Sequence, residues 1–132
     1  MTADRPAVPQ DAPRQVLVCG SRGWKNAQRV RDTLARLASE SPIEVMHGGA
    51  EGADIAAYWT CLELGITARS FLPDYKTHGK SAPHVRNDRM LDRAGLVVAF
   101  WDGQSRGTKS VIAKAKRRGI PVLIVEAEET RW

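Results

Sequence analysis

The sequence predicts an α/β fold in which five parallel strands form one doubly wound sheet with helices on both faces. Short apolar runs alternate with helical patterns from Gln15 onward, as expected for consecutive βα units. Three of these runs, at residues 16–19, 43–46 and 96–100, are each followed by a turn that contains at least two glycines. Because crossovers between parallel strands are right-handed, we expect the strand order 3-2-1-4-5.

The first half of the domain contains two strands, each followed by a helix. Residues 16–19 form the first strand and residues 43–46 the second. The helix between them has an apolar stripe at the spacing of one helix face, formed by Val30, Leu34, Leu37 and Ala38. The second helix spans residues 53–64 and ends at Gly65, a residue suited to the left-handed cap position.

The segment after this helix predicts a peripheral strand and a short helix. Residues 66–72 alternate in polarity and end at Pro73, which indicates a third strand at an edge of the sheet. Residues 74–80 read as a polar loop. Ser81 and Pro83 are typical of a helix start, and this helix extends to about residue 93.

The last part of the domain completes the sheet. Residues 96–101 are the most strongly apolar run and predict a central strand that is buried on both faces. The last long helix spans residues 108–118, with Gly119 as its cap, and residues 121–125 form the final strand.

The two ends of the chain differ in composition from the segment between them. Residues 1–14 contain three prolines and no periodicity, which predicts a flexible tail. Residues 15–126 are predicted to form a single domain, and residues 127–132 a second tail.

Composition places the chain among ordinary globular proteins, with 42% hydrophobic and 27% charged residues. No apolar stretch approaches the roughly 20 residues of a membrane helix, and the N-terminus lacks the apolar core of a signal peptide. We therefore expect a cytoplasmic protein without a membrane partner. Cys19 and Cys61 fit buried thiols better than a disulfide framework.

The charge balance indicates an anionic partner. The net charge is +5 and the pI is about 9.6, which suits a nucleotide or a nucleic acid. Four cations are concentrated late in the chain, at Lys114, Lys116, Arg117 and Arg118. We interpret them mainly as a solvated helix face that complements the helix dipole, with a nucleic-acid surface as the alternative.

The turns at residues 20–23 and 102–108 predict a phosphate site. A strand that enters a helix through a glycine turn offers backbone N–H groups and the positive end of the helix dipole to an anion. Arg22 can pair with a phosphate through two hydrogen bonds, and Ser105 and Thr108 can add hydroxyl donors. Thr108 could instead be only an N-cap. In the order 3-2-1-4-5 these turns face each other across one crevice.

The remaining candidates surround this crevice. In the turn that follows the second strand, Glu51 and Asp54 could be dipole or capping charges, and Asp54 could instead bind a ribose. Arg86 and Asn87 could close over a ligand, whereas Trp24 could either stack on a base or pack in the core. The predicted ligand contacts are Gly20, Ser21, Arg22, Trp24, Gly48, Gly49, Glu51, Gly52, Asp54, Arg86, Asn87, Asp102, Gly103, Ser105, Gly107 and Thr108.

Several chemistries lack their sequence signals. His47, His78 and His84 show no metal-ligand spacing, so no metal is expected. There is no nucleophile elbow, no complete Walker A motif and no full G-x-G-x-x-G fingerprint. If the chain is an enzyme, Glu51 and Asp54 are the candidate catalytic residues, but nothing in the sequence places them against a substrate.

The ordered set of motifs resembles the SLOG superfamily, and in particular its small YspA-like, YpsA-related proteins. The motifs are Gly20-Ser21-Arg22-Gly23-Trp24, His47-Gly48-Gly49-Ala50-Glu51-Gly52-Ala53-Asp54, Arg86-Asn87 with Met90, and Ser105-Arg106-Gly107-Thr108. The resemblance implies a Rossmann-like fold and a pocket for a nucleotide or a nucleotide-derived molecule such as ADP-ribose or NAD. It also implies a sensor in bacterial or phage conflict systems, with a bound nucleotide but no required cofactor, and leaves a homodimer open.

Two other branches of the superfamily provide alternatives. Lonely Guy phosphoribohydrolases cleave nucleoside monophosphates, but their P-G-G-x-G-T loop is replaced here by Ser105-Arg106-Gly107-Thr108. A nucleotide N-glycosidase is therefore the second hypothesis. DprA relatives use the fold on single-stranded DNA, which makes nucleic-acid binding the third and least favoured hypothesis.

Overall fold

The computed structural model describes residues 12–126, which form a five-stranded parallel sheet surrounded by helices. Its strands are β1 (Arg14–Gly20), β2 (Ile43–His47), β3 (Ala68–Ser70), β4 (Leu96–Trp101) and β5 (Val122–Glu126). Its helices are α1 (Ala27–Glu40), α2 (Ala53–Leu64), α3 (Tyr75–His78), α4 (Ala82–Arg93) and α5 (Arg106–Arg117). The strand order β3-β2-β1-β4-β5, with every pair parallel, confirms the predicted doubly wound sheet.

The core lies in two layers because side chains alternate between the faces of each strand. Val16 and Val18 of β1 belong to the layer under α1 and α2, whereas Leu17 belongs to the layer under α4 and α5. All three side chains are fully buried. β1 therefore lies at the centre of the fold, where burial on both faces fixes its register against β2 and β4.

The helix ends follow local capping chemistry. Asn26 caps α1 by accepting a hydrogen bond from the Arg29 N–H at 3.0 Å, and α2 ends at Gly65 with φ of 71°. α5 begins at Arg106, two residues earlier than predicted, because Ser105 rather than a later residue is the N-cap. Gly119, with φ of 73°, follows α5 as predicted.

Two elements differ from the sequence prediction. β3 contains only residues 68–70, because this edge strand pairs on one side alone, with residues 45–47 of β2. The prediction of a loop at residues 74–80 is wrong, since this segment forms α3 and a 3₁₀ turn at Gly79–Ser81. The Asp74 carboxylate accepts a hydrogen bond from the Thr77 N–H at 3.1 Å and so starts α3.

The predicted tails lie mostly outside the described residues. β1 already begins at Arg14, which pairs with Ile43, so the first strand starts two residues before the predicted one. Residues 1–11 and 127–132 are not among the residues that the structure describes. None of the helices in residues 12–126 has the length and hydropathy of a membrane-spanning segment.

Candidate functional site

A cavity of about 600 Å³ opens at the carboxyl ends of β1 and β4. These strands are neighbours in the sheet, and the helices that follow them, α1 and α5, lie on opposite faces. This is the switch point where ligands bind in open α/β sheets. The predicted contacts that line the cavity are Gly20, Ser21, Arg22, Gly48, Asp54, Arg86, Asn87, Asp102, Ser105, Gly107 and Thr108.

Five predicted contacts lie away from the cavity wall, namely Trp24, Gly49, Glu51, Gly52 and Gly103. Trp24 lies in the core, where its ring centroid is 5.5 Å from that of Phe100 and its Nε1 donates to the Asn26 carbonyl at 2.9 Å. Glu51 is exposed beside the turn.

The cavity also includes residues that the sequence analysis did not select. They are Val18, Cys19, Gly23, Ala50, Pro83, His84, Met90, Arg106 and Val111. Arg106 is the first residue of α5, directly after the N-cap Ser105. A serine that precedes a helical pattern was therefore the sequence signal that could have identified Arg106. Burial, followed by the nearby Asp54 charge, raises the pKa of the Cys19 thiol, which makes this cysteine a poor nucleophile.

The turn after β4 is shaped by Asp102. Its carboxylate accepts hydrogen bonds from the N–H groups of Gln104 and Ser105, both at 2.8 Å, and these bonds lower its pKa. Ser105 then caps α5, so the backbone N–H groups of Arg106 and Gly107 have no partner within the helix. Both residues line the cavity, and an anion there would meet the positive end of the α5 dipole.

Ser21 joins the turn after β1 to the turn after β4. The side chain is buried, and its Oγ accepts a hydrogen bond from the Asp102 N–H at 3.0 Å. The Ser21 N–H donates to the Phe100 carbonyl at 3.0 Å. A Cβ on Gly20 would lie 2.6 Å from both this carbonyl oxygen and the Ala53 Cβ, so only glycine permits this approach.

Asp54 and Arg86 hold the Gly48 peptide from two sides. Asp54 Oδ2 accepts a hydrogen bond from the Gly48 N–H at 3.0 Å and one from the Ala50 N–H at 3.3 Å. Arg86 Nη1 donates to the Gly48 carbonyl at 2.9 Å and to the Phe71 carbonyl at 3.1 Å. A Cβ on Gly48 would collide with the Arg86 guanidinium. The second glycine turn is therefore fixed in place by side chains of α2 and α4.

The buried His47 supports the same turn. Its Nδ1 accepts a hydrogen bond from the Gly49 N–H at 3.1 Å, and burial lowers its pKa. Both observations correspond to a neutral imidazole that acts as an acceptor at Nδ1.

The cavity is electropositive. Arg22, Arg86 and Arg106 all line it. Of the two carboxylates in its wall, Asp102 accepts hydrogen bonds from two backbone N–H groups and Asp54 from two others. Burial lowers the pKa of Arg86, and the positive charge of Arg22 also contributes to this shift. An anion in the cavity would relieve this repulsion between cations.

Burial raises the pKa of Asp54 from 3.8 to about 6, although backbone hydrogen bonds and Arg86 favour the carboxylate. In the unfolded chain this group loses its proton near its ordinary pKa. Between these two pKa values the native state holds a proton that the unfolded state has released, so the free energy of unfolding falls as the pH rises. The difference between the two pKa values corresponds to a loss of about 3 kcal/mol in the free energy of unfolding once the pH exceeds the folded pKa.

We therefore expect Asp54→Asn to gain about 2–3 kcal/mol of stability relative to wild type between about pH 4 and pH 7. The asparagine Oδ1 can still accept the Gly48 and Ala50 hydrogen bonds, but it carries no charge. Urea unfolding over this pH range measures the effect. Glu51→Gln controls for removing a carboxylate from the same turn. Parallel pH curves for Asp54→Asn and wild type would contradict the burial argument.

The basic end of α5 is partly neutralised by α4. Lys114 Nζ lies 3.1 Å from a carboxylate oxygen of Asp88, and Arg118 Nη1 lies 2.7 Å from a carboxylate oxygen of Asp92. Lys116 and Arg117, the other two cations of this cluster, are exposed. Across residues 12–126, no group of three or more histidine, cysteine, aspartate or glutamate side chains could hold a metal ion.

The chain matches the family model described as the YspA, cpYpsA-related SLOG family over residues 14–78. It is also 40% identical over 119 residues to the Gene 61 protein of Mycobacterium phage D29, an alignment that covers 83% of this chain and 94% of the phage protein. The chain belongs to this SLOG family. The matched segment extends from β1 through α3, so it contains the first two glycine turns of the SLOG cavity.

Two solved structures share the fold of this SLOG protein. DNA processing protein A of Streptococcus pneumoniae superposes with a TM-score of 0.74 at 18% identity, covering 88% of this chain and 51% of that protein. The second is DNA processing protein A of Helicobacter pylori, from a structure that describes its single-stranded DNA binding mode. It has a TM-score of 0.71 at 20% identity and covers 92% of this chain and 69% of that protein. This chain therefore spans about half the length of the Streptococcus pneumoniae protein.

Proposed function

We propose that this SLOG protein binds a nucleotide or a nucleotide-derived molecule, such as a nucleoside phosphate, ADP-ribose or an NAD-like compound, as a sensor or binding protein. The observation that carries the proposal is the meeting of the glycine turn after β1 with the start of α5 in one electropositive cavity. A volume of about 600 Å³ lies within the usual range of small-molecule sites.

The phosphate is proposed to bind at the start of α5. There the backbone N–H groups of Arg106 and Gly107 and the hydroxyls of Ser105 and Thr108 converge, with the two hydroxyl oxygens 3.2 Å apart. Arg22 also lines the cavity and can add two charge-assisted hydrogen bonds. A helix N-terminus with a nearby guanidinium is a common way to bind a phosphate.

The sugar and base are proposed to extend toward Asp54 and Asn87. Asp54 Oδ2 accepts the two backbone hydrogen bonds described above, so Oδ1 is the oxygen proposed to accept from a ribose hydroxyl. Asn87 Oδ1 accepts from Arg86 Nε at 2.7 Å, which orients the amide and leaves its two N–H donors for a ligand.

Calorimetric titration with AMP, ADP-ribose and NAD tests this proposal. We expect saturable binding of at least one of them, weakened at least about 10-fold by Arg22→Ala because a charge-assisted pair is lost. Arg93→Ala removes an exposed arginine from the last turn of α4, outside the cavity, and is expected to leave the affinity unchanged. The absence of heat and of thermal stabilisation with all three compounds would overturn the proposal.

A nucleotide N-glycosidase is the second candidate, and the Asp54 carboxyl favours it. A group with a pKa of about 6 in a cavity wall can hold a proton for a departing base near neutral pH. Release of free base from AMP or NAD, followed by chromatography, tests this candidate. Asp54→Asn is expected to abolish release, whereas Glu51→Gln, outside the cavity, is not. Binding without base release would exclude this candidate.

Single-stranded DNA is the third candidate ligand, supported by the fold shared with the DNA processing proteins. The exposed Lys116 and Arg117 at the end of α5 are the cations proposed to contact phosphates. Anisotropy with a labelled oligothymidine would then show an affinity that falls steeply with salt and weakens when both residues are replaced by glutamine. An affinity independent of both salt and these residues would exclude this surface.

A further inference from the structure

Helix α2 carries an apolar stripe that points away from the core. Trp59 and Leu62 are 62% and 59% exposed, and Ile55 and Tyr58 are 41% and 39% exposed. These four residues follow the i, i+3, i+4, i+7 spacing and therefore share one helix face. The opposite face of α2 is buried in the core.

We propose that this α2 stripe is the interface of a homodimer, in which α2 packs against α2 of a second copy about a twofold axis. From the exposed fractions, the four residues present about 400 Å² of surface, within the roughly 300–600 Å² of the largest patch on a monomer, which is often functional. Two copies would bury about 800 Å² from these side chains alone, and neighbouring residues at the rim bring this toward the ~1,200 Å² of small specific interfaces.

The charge pattern favours a second copy over an anionic surface. Residues 53–64 contain no lysine or arginine, whereas helices that bind membranes and grooves that bind nucleic acid present cations. At the edge of the stripe, Glu63 pairs with Arg31 of α1 at 2.9 Å. On a chain with a net charge of +5, an uncharged patch is where two copies can approach with least repulsion.

The middle of the stripe consists of aromatic side chains that pack against each other. The ring centroids of Tyr58 and Trp59 lie 5.2 Å apart in an edge-to-face arrangement, and the Tyr58 ring also lies 6.2 Å from that of His47. Ordered aromatic side chains lose little conformational entropy on binding. In an antiparallel pair, both rings lie near the twofold axis and Ile55 lies against Leu62 of the partner subunit.

Sedimentation equilibrium on the full chain from about 1 to 100 µM tests this proposal. We expect a reversible monomer–dimer equilibrium, with Leu62→Gln raising the dissociation constant at least about 10-fold because it places a polar group in an apolar contact. Leu123→Gln is the matched control, since Leu123 is 41% exposed on β5 at the other edge of the sheet. Circular dichroism verifies that both variants remain folded.

A second readout tests the proximity of the two copies at the twofold axis and not the affinity of the interface. In Trp59→Cys, mild oxidation is expected to join two copies through residue 59, because both lie near the twofold axis, whereas Leu123→Cys is not expected to do so. A monomer throughout the concentration range, or a dimer that tolerates Leu62→Gln and does not cross-link at residue 59, would overturn the proposal. Neither measurement requires a ligand, so both are independent of the proposed nucleotide site.

Discussion

Gly52→Ala is expected to lower the free energy of unfolding by at least about 3 kcal/mol, because it combines backbone strain with a steric clash. Gly52 precedes α2 with φ of 79° and ψ of −122°, a conformation that residues with a side chain rarely adopt. A Cβ there would also collide with the backbone carbonyl oxygens of Ser21 and Arg22. Ser21 cannot move freely, since hydrogen bonds tie it to Phe100 and Asp102.

Substitutions at two other glycines distinguish the cost of backbone strain from the cost of a steric clash. Gly103 has φ of 83° but open space around a Cβ, so Gly103→Ala is expected to cost only about 1 kcal/mol. Gly23 has neither a positive φ nor a close neighbour, and Gly23→Ala is expected to change stability by less than about 0.5 kcal/mol. Urea unfolding of the three variants measures this series. Equal effects for Gly52 and Gly103 would contradict the steric argument.

The fold was predictable because its signals are local and agree with one another. Strong apolar runs, glycine caps such as Gly65 and the handedness of crossovers together specify the strand order that the structure contains. The failures come from segments where local signals are weak. β3 is limited to three residues because its length depends on pairing with β2, and α3 forms because Asp74 caps a single turn.

The positions of the turns around the cavity could be predicted from the sequence, whereas the roles of individual side chains could not. Residues of all three glycine turns line the cavity, but the sequence could not show that Asp54 and Asp102 are already engaged by backbone N–H groups. Trp24 illustrates the same difficulty, since a tryptophan beside a turn fits both a core and a stacking position. The exposure of Trp59 could not be predicted either, because only tertiary structure reveals which face of α2 is buried.

Arg86→Met is the second change with a large expected effect: it is expected to lower the free energy of unfolding by about 2–3 kcal/mol. The variant leaves the carbonyls of Gly48 and Phe71 without their donor and removes the positive charge that stabilises the Asp54 carboxylate. Arg86→Lys is expected to recover little, because an ammonium cannot reproduce the planar guanidinium fork that reaches both carbonyls and Asn87. Arg89 is exposed and lies three residues after Arg86 in α4. The free energy of unfolding of Arg89→Met is therefore expected to stay within about 0.5 kcal/mol of wild type.

A double-mutant cycle with Asp54→Asn identifies the origin of this loss. At about pH 7 Asp54 is ionised in the native state, so removing Arg86 makes that buried charge more costly. With asparagine at position 54 this electrostatic part disappears and only the lost hydrogen bonds remain. Arg86→Met should then cost on the order of 1 kcal/mol less in the Asp54→Asn background than in wild type. Additive effects at about pH 7 would mean that the two side chains hold the Gly48 peptide independently, without electrostatic coupling across it.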